Sequence, residues 1–202
     1  MKTTTQAPSV PGTQFAGGFY AGRFMLDGSE YALIVAPKAS GEQESITWGK
    51  YGQNIEGARS CNDGHSNTTA MAAEGSALAQ WALSLDIGGH TDWYIPSRDE
   101  LELCYRNLKP TTQENWASFR DGDNPSSLPA GYPYTEQAPV QTSDPAFQEG
   151  GSEAFKPEWY HASTQFSPYN AWVQDFDGGT QNGYLKGSAR RAVAVRRVKV
   201  NP

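Results

Sequence analysis

Two short clusters in this sequence have the side chains for metal chemistry. Cys61 and His65 are half of a zinc ligand set, but a closed zinc site takes four ligands, and neither His90 nor His161 arrives with paired spacing. Asp121-Gly122-Asp123-Asn124 resembles a calcium turn in its hard oxygen ligands. It lacks the closing glutamate of the helix-loop-helix calcium site, and a polar turn accounts for it as well. No Gly-x-Ser-x-Gly elbow, phosphate-cradling loop or His-Glu-x-x-His helix is present. Carboxylates are plentiful, so a two-carboxylate glycosidase stays open as an alternative, although no pair stands out. The residues therefore point to no catalytic set, no metal site and no cofactor.

A different pattern appears late in the chain. Gln165, Phe166, Tyr169, Asn170, Trp172, Gln174, Gln181, Asn182, Tyr184 and Lys186 mix rings with amides. Rings offer apolar stacking area and amides offer paired donors and acceptors, the combination that holds sugars or protein epitopes at low entropic cost. These residues form the candidate ligand-binding set. Phe176 and Ala171 are expected in the core, and because strand faces alternate, about half of the set is expected to be structural.

Strands must position this set. β-branched and aromatic residues recur in short runs from Trp159 to Val198. Asp177-Gly178 predicts a tight type I′ hairpin with Phe176 and Thr180 on neighbouring strands. A second hairpin is predicted at Asp27-Gly28, between runs Phe19 to Phe24 and Tyr31 to Ala36, with a short strand at Ile46 to Trp48. Met71, Leu78, Trp81, Ala82 and Leu85 trace the stripe of one helix from Asn67 to Leu85, capped by Asn67 or Thr68 and stopped by Gly88-Gly89. Ser97-Arg98-Asp99-Glu100 reads as a capping box. Leu101, Cys104, Tyr105 and Leu108 follow on one face, Cys104 as a buried hydrophobe, until Pro110 ends the helix. The two helices are expected to cover a twisted antiparallel sheet. Residues 111–157 have little periodicity, yet Trp116, Phe119, Tyr132, Tyr134, Phe147 and Phe155 predict an ordered long loop.

The late stretch also carries a resemblance. Tyr160-x-x-Ser163-Thr164-Gln165, Ala171-Trp172-x-x-x-Phe176, Gly178, Gln181, Lys186 and the run from Arg190 to Val198 resemble the closing motif of a C-type-lectin-like family. The family occurs in bacteriophages and bacteria and is distantly similar to formylglycine-generating enzyme and to phage tropism-determining proteins. Asp92-Trp93-Tyr94-Ile95-Pro96-Ser97-Arg98-Asp99-Glu100-Leu101 resembles the family's Trp-x-Leu-Pro-(Ser/Thr/Ala)-x-x-Glu-Leu box. The resemblance spans roughly residues 15–198.

It implies an α+β, C-type-lectin-like fold with two helices and long ordered loops. It implies a non-enzymatic bacteriophage virion surface protein, a tail or tail-tip receptor-binding protein that attaches to a host cell-surface glycan or protein. The calcium signatures Glu-Pro-Asn and Trp-Asn-Asp are missing. Cys61 and Cys104 do not fall where the enzyme's late cysteines lie, so catalysis does not carry over. A structural virion component, such as a capsid decoration or baseplate protein, is the alternative reading, and a polysaccharide hydrolase a more distant one.

Composition sets outer bounds. The 202 residues suit one domain, taken as 15–202, preceded by an extended arm at 1–14 rich in Thr, Pro and Gln that would tether it to other virion proteins. Two cysteines make no disulfide framework and fit assembly in a reducing host cytoplasm before incorporation into the virion. No apolar run approaches the ~18 residues of a membrane span, and Met1 to Val10 lacks a signal-peptide core, so neither membrane insertion nor ordinary secretion is expected. Net charge is −6, yet no acid follows residue 185, where six of the sixteen bases lie. Neighbouring strand residues point to opposite faces, so Arg196 and Arg197 make no common patch for phosphate, and no nucleic acid partner is expected. The basic end is expected to be neutralised by the acidic remainder. Weak single-site binding would gain from several linked copies, so a homo-oligomer is expected.

Overall fold

Asp27 and Gly28 both adopt left-handed φ, 48° and 72°, which is the geometry a type I′ turn requires. They join strands β2 (Gly18–Leu26) and β3 (Ser29–Val35), paired from Leu26↔Ser29 to Phe19↔Val35, as the sequence predicts. The computed structural model to which they belong describes residues 6–116 and 122–200. The short strand β1 (Gln14–Phe15) flanks β2. Helix α1 (Lys38–Gly41) leads into β4 (Glu42–Thr47), longer than the strand expected there. After a 3-10 turn at Glu56–Ala58 come α2 (Gly64–Ala73), α3 (Ala77–Leu83) and α4 (Arg98–Leu108). Strand β5 (Ser127–Leu128) pairs with β2, and the chain closes with β6 (Trp159–Gln165), β7 (Asn170–Asp175), β8 (Gln181–Leu185), β9 (Ala189–Val193) and β10 (Val195–Lys199).

These strands make two sheets, β1-β2-β3-β10 and β4-β9-β6-β7-β8. All pairings are antiparallel except the single Tyr160↔Arg191 pair between β6 and β9. Buried Ala194 is the hinge at which one run of chain leaves the second sheet for the first; its N–H donates to Gly41 O, and its carbonyl accepts from Ala36 N. The architecture is α+β with curled, mostly antiparallel sheets. One core cluster joins α4 to both sheets through Leu33, Leu101, Leu108 and the stacked pair Phe155 and Phe176, centroids 4.2 Å apart. Another packs α2 and α3 on the second sheet through Trp48, Met71, Leu78, Ala171 and Ala192.

The predicted helix 67–85 is two helices. Gly75 takes a left-handed φ of 83°, and Ser76 restarts the chain by accepting from Ala79 N. Asp63, not Asn67 or Thr68, caps the first of them, accepting from Ser66 N; the other two are buried. The apolar stripe conceals this break because both helices turn it toward the second sheet. Gly88-Gly89 stops no helix either; it makes the tight turn in which Ile87 and His90 exchange backbone bonds.

Asp177-Gly178 also departs from expectation. β7 ends at Asp175, whose carboxylate accepts from Asp177 N and Gly178 N, and the positive φ falls on Gly179. The side-chain acceptor draws the chain into a wider turn, and Phe176 leaves the strand to fill the core.

In the described part of the long segment Tyr134, Phe147 and Phe155 point inward, whereas Trp116 and Tyr132 are exposed; Phe119 lies outside the described residues. In the arm, Gly12 N donates to Tyr20 O, Tyr20 N donates to Thr13 O, and Ala7 packs beside the Tyr20, Ile34 and Trp93 cluster. Its described part thus lies on its own domain; residues 1–5 are outside the description. Among the described residues, no helix is long and apolar enough to cross a membrane.

Candidate functional site

The capping box on α4 forms as read, with Ser97 Oγ accepting from Glu100 N and Glu100 accepting from Ser97 N at 2.7 Å. Glu100 also accepts from Gly64 N and from the Tyr94 hydroxyl at 2.6 Å. Burial raises the Glu100 carboxyl pKa, and Tyr94's own burial, with the Glu100 charge beside it, drives the Tyr94 hydroxyl well up. The motif region is therefore interior structure. Cys61 and His65 belong to the same structural neighbourhood: Cys61 O accepts from Asp99 N, and the His65 ring meets the Tyr94 ring edge-on at 5.6 Å. Of the polar turn, Asp121 lies outside the described residues, and Asn124 is engaged internally, donating to Asp99 O and Glu102 and accepting from Ser127 N.

The basic end is neutralised in part: three of its six bases hold carboxylates. Arg191 pairs with Glu42 and Glu158, Arg196 with Asp92 and Arg197 with Asp63.

The remaining feature is a plate of exposed rings where the second sheet curls back on the loop after β4. Its foundation is Trp48, fully buried, whose indole N–H donates to Ala162 O at 2.9 Å and whose backbone N–H donates to Lys186 O. Lys186 sits over the Trp48 ring at 4.4 Å and donates to Gln53 O at 2.6 Å and Gln165 Oε1 at 2.5 Å. Desolvation lowers its pKa to about 8, and the nearby Arg59 charge acts in the same direction. Gln165 Oε1 also accepts from Ile55 N, and its amide donates to Asn54 Oδ1. These bonds tether the loop 48–55 along its length.

At the tip of that loop, Gly52 N donates to Pro168 O, and Tyr51 meets Tyr169 at 5.0 Å and 45°. The turn bearing Tyr169 is itself fixed: Phe166 N and Ser167 N both donate to Asn170 O, while Ser167 Oγ accepts from Tyr169 N and Asn170 N. Phe166 lies edge-on to Trp172 at 5.0 Å and covers Gly183, where a Cβ would come within 3.1 Å of the ring. Tyr184 and Leu185 are also exposed, on opposite faces of the edge strand β8, and Arg190 lies 4.1 Å over the Tyr184 ring. Tyr51 is 65% exposed, Tyr169 51% and Phe166 46%, large values for rings this firmly anchored.

The ten sequence candidates divide accordingly. Phe166, Tyr169, Asn182 and Tyr184 are exposed, and Asn170 is half-buried. Gln165, Trp172, Gln174, Gln181 and Lys186 are buried and serve as internal supports. Gln174 donates to Gly179 O and Gln181 to Arg98 O, and Trp172 lies beneath Phe166 with Arg98 over its ring at 5.3 Å. The physical reason is that β7 is covered on both faces, so alternation exposes none of its central residues. Sequence reasoning missed Tyr51, Leu185 and Arg190. A tyrosine between Gly49 and Gly52, with no apolar neighbour to share a core face, is the signal that marks Tyr51.

Neither protein-family models nor curated proteins match this chain.

Proposed function

We propose that the chain is a C-type-lectin-like domain on the surface of a bacteriophage virion, a non-enzymatic tail or tail-tip protein that attaches to a host cell-surface glycan or protein. The observation that carries this reading is the group of rings around the 166–169 turn, Tyr51, Tyr169 and Phe166, exposed yet held in place from below. Apolar rings facing water cost hydration free energy that a ligand recovers, and rings fixed in advance lose little entropy on binding. Apart from Tyr51, these rings lie on the part of the chain that resembles the closing motif of the C-type-lectin-like family, whose distant tropism-determining relatives bind receptors through the matching strands and loops. In the rival reading as a structural virion component, the arm is the natural anchor, and Gly12 and Thr13 of it are bonded to the domain's own β2 while Ala7 packs on its core.

The test is binding of purified, fluorescently labelled protein to a panel of bacterial strains, alone and as a multimer, alongside Tyr169→Ala and Phe166→Ala. Binding to some strains that falls at least about tenfold in both variants is expected, the loss of a stacking contact being worth ~1–2 kcal/mol. Trp172→Ala is the wrong probe, because that ring belongs to the core. Binding to no strain, or binding indifferent to both substitutions, would move the assignment to a structural role.

A further inference from the structure

Seven of the eight arginines in the described residues hold a carboxylate: Arg23, Arg59, Arg98, Arg106, Arg191, Arg196 and Arg197. Arg190 does not. It donates through Nη1 only to the adjacent Ala189 O, its Nε is buried without a protein acceptor, and its guanidinium lies on the Tyr184 ring. In an acidic protein this placement is unusual, and a guanidinium laid over an aromatic face still keeps in-plane N–H donors in reserve for a planar anion.

Arg190 also forms one wall of a cleft of about 460 Å³ at the start of β6 and the end of β7. Trp159 supplies a ring there, and Glu44, Glu158, Asp175 and Asp177 supply carboxylates. Two of those acids are already engaged, Glu158 by Arg191 and Asp175 by the amides of Asp177 and Gly178. The cleft thus offers one unpaired cation, flat apolar area and several hydrogen-bond acceptors. A bare anion would use the cation alone. An acidic sugar uses all three, with its anionic group on Arg190, its ring face on Trp159 and its hydroxyls donating to carboxylates, whose attraction offsets their repulsion of the anion.

We infer that Arg190, beside Tyr184 and Trp159, recognises the anionic group of an acidic saccharide, a uronate carboxylate or a sugar phosphate. This rests on the reading of the chain as a surface-attachment protein and names the ligand class of the same sheet end.

The experiment titrates the full chain with polygalacturonate, with a sugar-phosphodiester polymer and with neutral dextran, at low and physiological salt, using wild type, Arg190→Gln and Arg190→Lys. The same proteins are tested on the bacterial panel, with circular dichroism to confirm folding. At least one acidic polymer is expected to bind about tenfold or more tighter than dextran and to weaken with salt. Arg190→Gln should lose that preference, and Arg190→Lys, which keeps charge but not the planar fork, should retain only part of it. Preference for one acidic polymer over the other identifies the anion. Equal binding of dextran, or an acidic preference that survives in folded Arg190→Gln, overturns the inference; if cells are still bound in a Tyr169-dependent way, the attachment reading stands. Binding to neither polymers nor cells overturns both.

Discussion

Helix α4 and the β6–β8 end of the second sheet are equally rich in polar side chains, and they use them in opposite ways. On α4 the carboxylates are buried and each gathers several donors, although Arg106 Nε has no acceptor among the described residues: Glu100 takes three donors, while Glu102 takes the Tyr134 hydroxyl, Arg106 and Asn124. At the sheet end the buried amides mostly hold the backbone. Gln165 bonds along loop 48–55, Gln174 to the 175–180 turn and Gln181 to Arg98 O at the start of α4, and the Gln174 and Gln181 Oε1 atoms have no partner among the described residues. What lies outermost also differs. Above α4 the long segment folds Tyr134, Phe147 and Phe155 inward, whereas the sheet end leaves Tyr51, Phe166 and Tyr169 facing water. A polar network that closes on itself stabilises a fold; one that fixes backbone beneath exposed rings builds a contact surface.

The first way to break this contrast is to remove a closed acceptor. Glu100→Ala leaves three buried donors without a partner and should cost ~3–5 kcal/mol in denaturant unfolding. A loss near zero would mean that the α4 network is not closed.

Next in size is Gly75→Ala, which places a Cβ in left-handed backbone with open space around it, so conformational strain is the whole effect. It should cost ~1–2 kcal/mol in the same assay.

Lys186 gives a pH signature at the sheet end. Its folded pKa of about 8 lies below the ordinary 10.5, so between those values the unfolded chain holds more protons than the folded one. Stability contributed by this group therefore increases as pH rises from about 8 to 10. Lys109, also lowered by burial, acts in the same sense, and Lys186→Met isolates the difference: the rise should be smaller in the variant. Cys104, whose thiol burial pushes well up, acts oppositely in the same range and is common to both proteins, while the tyrosines whose hydroxyls burial pushes up, among them Tyr94 and Tyr134, do so at higher pH. An unchanged profile in Lys186→Met would show that the ammonium is not desolvated.

Smallest of all in stability should be Tyr51→Ala and Tyr169→Ala, within about 0.5 kcal/mol of wild type, because exposed rings contribute little to the fold. The contrast is sharp if these variants keep their stability and lose binding while Glu100→Ala does the reverse.

Local chemistry made parts of this molecule legible in its sequence. The Asp27-Gly28 hairpin and the Ser97 capping box each depend on a few adjacent residues, and both form as read. Asp177-Gly178 misled because Asp175, two residues earlier, supplies a competing acceptor. The α2 and α3 stripe misled because periodicity records which face is buried and not whether the backbone is continuous. The candidate surface was legible by half. On the edge strand β8, Asn182 and Tyr184 emerge, but β7 is sandwiched, and Trp172 and Gln174 vanish into the interior. Tyr51 joins the plate across more than a hundred residues of chain, a contact no local pattern reports.

The most direct test of the exposed plate is tyrosine nitration of the protein free and bound to susceptible cells, mapped by mass spectrometry. Tyr51 and Tyr169 should be modified in the free protein and protected when bound, while the exposed Tyr132 of the long segment stays reactive in both states. Protection of Tyr132 with continued modification of the other two would contradict the account and place the contact surface on the long segment.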